Sequence, residues 1–208
     1  MRFVLASQSP ARLAVLRAAG IEPSVVVSGV DEDAVAAALT DPSREELVTA
    51  LALAKAEAVL TEVARTHSNA VVVGCDSMLS FNGEMLGKPG DAENARKRWA
   101  QMAGGTGDLL TGHAVLLVEA GEKVRQSVGT QTTRVRFGSP SPEEIDAYVG
   151  TGEPLQVAGA FTLDGLGGWF VEGIDGDPSS VIGISLPLTR RLLAEVGVSI
   201  TDLWSPIS

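Results

Sequence analysis

Apolar residues along this chain fall into short unbroken runs and into stripes with helical spacing, which predicts a mixed α/β protein. The run at residues 70–75 is apolar throughout and predicts a central strand that is buried on both faces. A turn at residues 120–122 separates two longer apolar-rich segments and predicts an antiparallel hairpin. Strands are predicted over residues 3–6, 24–28, 70–75, 109–118, 124–137 and 169–174.

Helix boundaries are marked by capping residues. Ser9 and Pro10 are typical of the start of a helix, and Gly20 is typical of its end. The longest helix begins at Ser43, which with Glu46 three residues later forms a capping box. Further helices are predicted, so that the full set covers residues 9–20, 43–65, 91–102, 142–149 and 186–196.

Length and composition limit the organisation of the chain. At 208 residues with 45% hydrophobic residues, the chain is predicted to form one α/β domain over residues 1–208 with two lobes. Residues 198–208 are predicted to form a short C-terminal tail. The glycine-rich segment 152–178 is too apolar for a linker and is predicted to be an ordered wall rich in loops.

Charge and cysteine content exclude several classes of function. A net charge of −10 disfavours binding to a nucleic acid polymer, although local lysines can still bind a small anion. Cys75 is the one cysteine, which rules out an intramolecular disulfide and fits a reducing compartment. No apolar run approaches the ~20 residues of a membrane span, and the first residues lack a secretory signal. We therefore expect a cytoplasmic protein without a membrane contact.

Two residues suggest phosphate chemistry. Asp76 directly follows the 70–75 run, and ligands of open α/β sheets gather beyond the carboxyl ends of strands, so Asp76 is a candidate to bind Mg²⁺ or activate water. The alternative is a carboxylate that caps a turn. Lys88 lies in a Gly-Lys-Pro sequence, which differs from a Walker A loop because proline follows the lysine. The alternative for Lys88 is an ordinary turn lysine.

Three further places carry candidate residues. The strand-to-helix turn with Ser7 and Arg12 could bind an anion at a helix N-terminus, or it could be an ordinary cap. One acid among residues 31–33 could bind a divalent cation, or the acids could be a solvated turn. Lys55 lies between Leu51 and Val59 on an apolar stripe, so its ammonium either reaches a functional cleft or merely snorkels to solvent.

The glycines at residues 162–169 permit close backbone approach to a flat ligand, or they form a chain of turns. Trp169, at the end of this segment, fits a core or interface position better than a base-stacking platform.

Taken together, these pieces resemble the Maf family of nucleoside triphosphate pyrophosphatases, also called septum formation inhibitor proteins. The resemblance covers nearly the whole chain, and its specificity comes from the order and spacing of motifs that are individually weak. The motifs are LAS-x-SP-x-R at 5–12, DE at 31–32, AKA at 54–56, DS at 76–77, GE-x-LGKP at 83–89, GEP at 152–154, AGAF at 158–161 and GDPSSVIG at 176–183.

The resemblance implies a fold like that of inosine triphosphate pyrophosphatases, with an elongated sheet flanked by helices and a cleft between two lobes. It implies hydrolysis of a nucleoside triphosphate, canonical or modified, to the monophosphate and pyrophosphate, with Mg²⁺ or Mn²⁺ required. The roles implied are proton acceptor for Asp76, metal ligand for Glu32 with Asp76, and phosphate binding for the residues Ser7, Arg12, Lys55 and Lys88.

Three positions implied to contact the base depart from the pyrimidine-preferring branch of that family. That branch has arginine, threonine and glutamine where this chain has Ala11, Ser77 and Asp164. The branch that acts on 7-methyl-GTP has tryptophan, glutamine and glutamate, so only Asp164 resembles it. An acid at the base edge would accept from the N–H donors of guanine, which favours a purine. The preferred base stays open at this point.

Two other functions compete with the pyrophosphatase. One is a non-catalytic, nucleotide-responsive regulator of septum formation that acts through protein contacts. The other is a phosphatase that releases inorganic phosphate. The family resemblance and the long hairpin also make a homodimer plausible.

Overall fold

The computed structural model of this protein describes residues 1–204. Within them, seven strands form one sheet in the order β2-β1-β3-β5-β6-β7, with β4 paired to β3. Strand β1 is parallel to β2 and β3, whereas the β3–β4 and β6–β7 pairs are antiparallel. The strands are β1 (Arg2–Leu5), β2 (Ser24–Val25), β3 (Ala70–Phe81), β4 (Glu84–Leu86), β5 (Thr106–Glu119), β6 (Glu122–Phe137) and β7 (Val171–Asp175).

Helices connect these strands, which confirms the predicted mixed α/β class. Ser43 and Ser141 each form a complete capping box with a glutamate three residues later, so both helix starts agree with local sequence. The α-helices are α1 (Pro10–Ala18), α2 (Glu32–Ala37), α3 (Arg44–Ala58), α4 (Leu60–Thr66), α5 (Ala92–Met102), α6 (Pro142–Gly150), α7 (Pro178–Ile182) and α8 (Leu186–Glu195). Short 3₁₀ turns occupy Glu153–Gln156, Ala158–Ala160, Leu166–Phe170 and Ile200–Leu203.

The chain forms two compact units. The first contains Met1–Asp76, Thr111–Gln131 and the chain from Gly183 onward, and the second contains Ser77–Leu110 and Thr132–Ile182. Strands β3, β5 and β6 each begin in one unit and end in the other.

In the first unit, alternate residues of the central strands enter two separate apolar clusters. Val71 and Val73 pack with the side chains of α8, whereas Val72 packs with α3 and α4. Because successive strand residues point to opposite faces, this division shows a sheet covered on both sides. The prediction that the 70–75 run is buried on both faces is therefore confirmed.

The second unit is built around Trp99 of α5. Its indole N–H donates to the carbonyl of Ala160 at 2.7 Å. The rings of Phe137, Tyr148 and Phe170 stand edge-on to it, with centroid distances between 5.7 and 5.8 Å. This aromatic cluster fixes α5 and α6 against the loop-rich segment that follows α6.

Strand β3 extends further than its sequence indicated. The predicted end at Cys75 is wrong, because the strand continues through Asp76 to Phe81 and then pairs with β4. The turn between them is Asn82-Gly83, and both residues have positive φ, of 50° and 88°. Asn-Gly is the preferred sequence for a two-residue hairpin turn, so the sequence contained a signal for this extension.

Other element boundaries also differ from prediction. The helix predicted over 43–65 is broken at Val59, where the backbone N–H bonds to Glu57 and leaves the regular helical ladder. Strand β2 ends at Val25 rather than at residue 28, and β7 starts at Val171 because 3₁₀ structure holds the two preceding residues. The hairpin of β5 and β6 has its turn at Ala120-Gly121, where both residues have positive φ.

The segment after α8 contributes two side chains to the apolar core of the first unit. Val198 and Leu203 belong to the apolar cluster that also contains α8. The predicted tail covers residues 198–208, and its residues 205–208 lie outside the described part of the chain. Among the helices of residues 1–204, none has the length and apolarity needed to cross a bilayer.

Candidate active site

Close packing of α3 on the sheet positions the first candidate residue. A Cβ built on Gly74 of β3 would lie 2.3 Å from the carbonyl oxygen of Ala52, so only glycine permits this approach. Gly112 of β5 makes a similar approach to Val48, at 2.1 Å. Asp76 lies on the same face of β3 as Gly74, since it is two residues further along the strand. The helix therefore brings the turn that carries Lys55 next to Asp76.

Lys55 is the centre of a group of three charges. Its Nζ lies 2.6 Å from Asp76 Oδ1 and 2.7 Å from Glu32 Oε1. The Lys55 and Asp76 side chains are only 11% and 8% exposed, whereas that of Glu32 is 47% exposed. A buried lysine with two carboxylate partners differs from a lysine that snorkels to solvent. These distances bring Glu32, Lys55 and Asp76 together, and the chemical roles of the three residues stay predictions.

The acidic segment at 31–33 divides its roles between capping and ion pairing. Asp31 is the N-cap of α2, and its Oδ1 accepts from the Ala34 N–H at 3.0 Å. This cap orients the first turn of α2 so that Glu32 reaches Lys55. Asp33 is exposed on the same turn. Asp31 is thus a cap and Glu32 an ion-pair partner, while the proposed metal-binding role of Glu32 stays a prediction.

The turn between β1 and α1 brings Ser7 and Arg12 together. The hydroxyl of buried Ser7 accepts from Arg12 Nη1 and from the Ser9 N–H, both at 3.1 Å. Arg12 Nε donates to the carbonyl of Gly183 at 2.7 Å, which anchors the guanidinium within the first unit. Ser9 caps α1, so the cap and the Ser7–Arg12 pair coexist in one turn.

The pKa of the Cys75 thiol is influenced both by Arg12 and by the Lys55–Asp76 pair. Burial raises the pKa of the Cys75 thiol to about 11, although the positive charges of Arg12 and Lys55 act to lower that pKa. The thiol is fully buried and stays protonated at neutral pH. The negative charge of Asp76 acts in the opposite direction, so charges of both groups influence the pKa of the Cys75 thiol.

Asp76 itself is located differently from its prediction. It lies in the middle of β3 rather than beyond the end of a strand, so the argument from strand ends was wrong for this residue. The carboxylate is buried in the folded chain because the strand continues, and it does not cap a turn.

Lys88 lies in the second unit, in the turn between β4 and α5. Its own side chain is exposed, but the turn around it is held by main-chain contacts. The carbonyl of Gly87 accepts from Arg98 Nη1 at 2.5 Å and from the Gly159 N–H at 3.2 Å. Sequence reasoning missed Arg98, because a polar residue on an amphipathic helix carries no signal for such a contact.

The glycine-rich segment of the second unit is organised by Glu153. The carboxylate of Glu153 accepts from Tyr148 and Thr162 side chains and from the main-chain N–H groups of Leu166 and Gly167. Sequence analysis identified the GEP motif at 152–154 but gave Glu153 no role. Trp169 is 86% exposed, so of the two expected positions the core is wrong and the interface stays a prediction.

Five predicted residues thus lie in the first unit in two contact groups, which are Ser7 with Arg12 and Lys55 with Glu32 and Asp76. Ala11 lies beside them in sequence, in the first turn of α1. Ser77, Lys88 and Asp164 belong to the second unit, and their roles stay predictions.

The carboxylates suit a divalent cation that arrives with its substrate. Within residues 1–204, no three His, Cys, Asp or Glu side chains cluster closely enough to form a metal site by themselves. Glu32 and Asp76 nevertheless share one ammonium as partner. Mg²⁺ is commonly bound by one or two carboxylates together with phosphate oxygens and water. The donor set therefore fits a cation whose remaining ligands come from a polyphosphate.

Comparison with known sequences gives a consistent result. The family model described as "Maf-like protein" matches residues 2–196. A protein from Saccharopolyspora erythraea named nucleoside triphosphate pyrophosphatase is 67% identical, over 99% of this chain and 98% of the relative. A protein of the same name from Rhodococcus jostii is 62% identical, over 98% of this chain and 96% of the relative.

Comparison with solved structures gives a much weaker likeness. A crystal structure titled nucleoside-triphosphatase / dITP/XTP pyrophosphatase, from Mycobacterium abscessus, aligns with a TM-score of 0.34 at 18% identity. The alignment covers 66% of this chain and 74% of that chain.

Proposed function

Because this chain belongs to the family of Maf-like proteins, we propose that it is a nucleoside triphosphate pyrophosphatase. It hydrolyses a canonical or modified nucleoside triphosphate to the nucleoside monophosphate and pyrophosphate. Relatives that match nearly the whole chain at 67% and 62% identity bear the name of this activity. The observation that carries the proposal is the buried Lys55 ammonium held between Asp76 and Glu32.

Asp76 acts as the proton acceptor. A water oxygen attacks the α-phosphorus, and the bond from that phosphorus to the oxygen bridging to the β-phosphorus breaks. The electron pair leaves with pyrophosphate, and the water proton passes to the Asp76 carboxylate. Lys55 holds this carboxylate through Oδ1 at 2.6 Å, which fixes its orientation in a buried setting. Phosphoryl-type transfers depend chiefly on such positioning and on neutralisation of charge.

Glu32 and Asp76 would hold a divalent cation, which when bound polarises the phosphate and neutralises its charge. The Glu32 side chain is partly exposed, so a ligand can reach the three charged residues from the Glu32 side. Phosphate oxygens of such a ligand would complete the coordination of the cation. Lys55, whose ammonium lies between these two carboxylates, would bind phosphate oxygens of the substrate. The ammonium has three donors, so it can keep one carboxylate contact while it binds phosphate.

Cationic groups bind the polyphosphate tail. The Arg12 guanidinium donates hydrogen bonds to the Ser7 hydroxyl and to the carbonyl of Gly183. These two contacts fix the orientation of a group that has five donors in all. Lys88 is proposed as a further phosphate ligand from its position in the family motif. A chain with a net charge of −10 needs such local cations to attract a substrate with about four negative charges.

A product assay with matched variants tests the proposal. Wild-type protein with Mg²⁺ is incubated with a panel of canonical and modified triphosphates, and pyrophosphate and inorganic phosphate are quantified separately. We expect pyrophosphate from at least one substrate, a loss of about a thousandfold or more in Asp76→Asn, and no change in Asp33→Asn. Asp33 is an exposed acid next to Glu32 without a role in the proposed chemistry.

Other outcomes identify the rival functions. Release of inorganic phosphate instead of pyrophosphate would indicate a phosphatase. Binding of nucleotides without turnover, with Asp76→Asn indistinguishable from wild type in cells, would indicate the septum regulator. Omission of Mg²⁺ and Mn²⁺ tests the cation requirement in the same assay, since turnover that survives chelation would contradict it.

The cellular compartment and the oligomeric state are inferred from the sequence alone. The single cysteine and the acidic composition support a cytoplasmic protein that acts on a free nucleotide, and the long β5–β6 hairpin supports a homodimer. Sedimentation of the purified protein measures the second of these expectations directly.

A further inference from the structure

His113 is a fully buried polar residue in the apolar central part of β5. Val115 and Leu117, two and four residues further along the strand, belong to the apolar cluster that contains α8, so the imidazole points to the α8 face of the sheet. A histidine is seldom fully buried unless its ring nitrogens are hydrogen-bonded. No step of the proposed hydrolysis requires this residue, so its burial needs another explanation.

Both ring nitrogens of His113 have a backbone partner. Nε2 lies 2.8 Å from the main-chain N of Ser185, and Nδ1 lies 3.0 Å from the carbonyl oxygen of Thr111. A peptide N–H can only donate and a carbonyl can only accept, so these partners assign the proton to Nδ1 and the acceptor role to Nε2. The imidazole is therefore neutral and in one tautomer, and it connects β5 to the residue that caps α8.

Ser185 ends a short segment whose first residue is bonded to Arg12. As the N-cap of α8, Ser185 accepts through its hydroxyl from the Leu188 N–H at 3.1 Å. The preceding residue, Ile184, is fully buried in the apolar cluster of α8. The carbonyl of Gly183, at the start of the segment, accepts from Arg12 Nε at 2.7 Å. The His113 contact therefore fixes one end of residues 183–185, and Arg12 is bonded to the other end.

Gly183 contacts the Arg12 side chain closely. Its φ is 127°, and a Cβ built on it would lie 3.1 Å from Arg12 Nε and 3.3 Å from Arg12 Cγ. The guanidinium also donates from Nη1 to the buried Ser7 hydroxyl at 3.1 Å. Contacts to two different nitrogens of one planar group determine its plane as well as its position. The orientation of Arg12 therefore depends on where residues 183–185 are held.

We propose that His113 is a positioning residue for the phosphate-binding guanidinium of Arg12, and that it acts through the backbone of residues 183–185. This inference rests on the proposed function, in which Arg12 binds the polyphosphate of the substrate. A guanidinium recognises phosphate oxygens through the fixed geometry of its donors, so a small rotation of its plane weakens binding. All residues of this path lie in the first unit.

Two polar substitutions of His113 separate its two hydrogen bonds. The amide of His113→Gln reaches the location of Nε2 and can accept from the Ser185 N–H, whereas the shorter amide of His113→Asn replaces only Nδ1. We expect His113→Asn to raise KM for the triphosphate about tenfold while kcat falls less than about threefold, and His113→Gln to keep KM within about threefold of wild type. A purely structural role would lower the stability of both variants and leave KM unchanged, which would contradict the proposal.

A double-mutant cycle tests whether His113 acts through Arg12. Arg12→Met removes the guanidinium and keeps an unbranched stem, so His113→Asn should change KM less than about twofold in that background. Val198→Ala is the control for a general loss of stability, since Val198 is a buried member of the same apolar cluster. We expect Val198→Ala to lower the melting temperature and to keep the wild-type KM. A tenfold rise of KM in Val198→Ala, or one caused by His113→Asn in the Arg12→Met background, would overturn the proposal.

Nitrogen NMR of the wild-type protein tests the hydrogen bonds of the imidazole directly. The chain has two histidines, so a spectrum of His67→Gln identifies the signals of His113. We expect a protonated Nδ1 and an unprotonated Nε2 that accepts from the Ser185 N–H. This measurement applies whether or not His113→Asn folds. The opposite tautomer cannot accept from Ser185, and its observation would overturn the proposal.

Binding of inorganic tripolyphosphate in the presence of Mg²⁺ separates this inference from the proposed function. Calorimetric titration requires no turnover, and this ligand contains a phosphate chain without base or sugar. We expect the dissociation constant to rise about tenfold in His113→Asn and to stay within about threefold of wild type in His113→Gln.

The outcomes of this titration differ for the two hypotheses. If no nucleoside triphosphate is hydrolysed but the expected difference in binding is measured, the proposed function fails and the role of His113 stands. If pyrophosphate release is confirmed and wild type and both variants bind tripolyphosphate equally, the role of His113 fails alone. Failure of the wild type to bind tripolyphosphate, or wild-type affinity in Arg12→Met, would also overturn the inference.

Discussion

Arg98 Nη1 donates a 2.5 Å hydrogen bond to the main-chain carbonyl of Gly87, the residue directly before Lys88. The turn has further anchors, since Asn94 Nδ2 donates to the Pro89 carbonyl at 3.3 Å. Burial lowers the pKa of Arg98, yet an arginine stays charged under all ordinary conditions. Helix α5 thus fixes the backbone on both sides of the lysine proposed to bind phosphate.

We therefore expect Arg98→Met to raise KM for the triphosphate about tenfold while kcat falls less than about threefold, because Lys88 keeps its charge but loses its fixed location. Arg96→Met is the control on the same helix. Arg96 pairs with Asp146 at 2.6 Å on the surface, and exposed pairs of this kind contribute little. Steady-state kinetics of both variants measure the difference. Equal kinetic constants for the two variants would show that Arg98 does not position Lys88 for phosphate binding.

The buried Lys55–Asp76 pair predicts a strong coupling in stability. Lys55→Met leaves the Asp76 carboxylate buried without its partner, and we expect the free energy of unfolding to fall by about 3 kcal/mol. Asp76→Asn should cost less, because Lys55 keeps Glu32 as a partner. The double variant should lose less than the two single losses added together.

Urea unfolding of the four proteins in this cycle measures the coupling energy. A double variant whose loss equals the sum would show that the ammonium and the carboxylate do not interact in solution. Glu57→Gln is a suitable surface control, since Glu57 pairs with Lys123 near the end of the same helix and its side chain is 43% exposed.

Much of this site was predictable because its elements obey local rules. Lys55 was recognised from its place on the apolar stripe of α3, since a lysine there must either be paired or reach solvent. The N-caps at Ser9 and Ser43 followed from sequence patterns that act over three residues. Apolar spacing and capping patterns therefore predict where these helices begin and which of their faces pack on the sheet.

The missed features depend on contacts between distant parts of the chain. The extension of β3 past Asp76 was not predicted, because Ser77 and Ser80 interrupt the apolar run and pairing with β4 supplies the stabilisation. The partners of Arg98 and Glu153 are set by loop packing in the second unit, and no periodic pattern in the sequence encodes a loop. The sequence therefore identified the candidate site residues, but it did not reveal the strand boundaries or the hydrogen-bond partners that fix the loops around them.

Gly74 gives a prediction about the scaffold of the site. Its hypothetical Cβ lies 2.3 Å from the carbonyl oxygen of Ala52 and 2.9 Å from the backbone N of Ala56, so a methyl group must push α3 away from the sheet. We expect Gly74→Ala to lower the free energy of unfolding by about 2 to 3 kcal/mol and to reduce activity more than stability alone explains, since Lys55 moves with α3.

Thermal unfolding and kinetics at a temperature where the variant remains folded separate these two effects. Gly150→Ala is the control, because a Cβ there meets no atom within 4 Å and the residue lies in helix α6. We expect it to be neutral or slightly stabilising. A Gly74→Ala protein with wild-type stability would mean that α3 does not pack on β3 as closely as described.

Cys75 predicts a specific alkaline limit of stability. Burial raises its pKa from about 9 to about 11, so the folded protein binds the thiol proton more tightly than the unfolded chain does. Stability from this proton is fully present below pH 9 and is lost as the pH rises from 9 to 11, because the unfolded chain then gains the free energy of ionisation. The loss amounts to about 2 to 3 kcal/mol by linkage.

Urea unfolding of wild type and Cys75→Ala between pH 7 and pH 11 measures this contribution. Wild type should lose more stability than Cys75→Ala over the interval from 9 to 11, whereas the difference between the two proteins should be constant below pH 9. Other groups that titrate in this range, among them Tyr148 with its raised pKa, act equally in both proteins and cancel in the comparison. Parallel pH curves for the two proteins would show that the thiol has the same pKa in the folded and unfolded chains, which is incompatible with a buried residue 75 beside the charged pair.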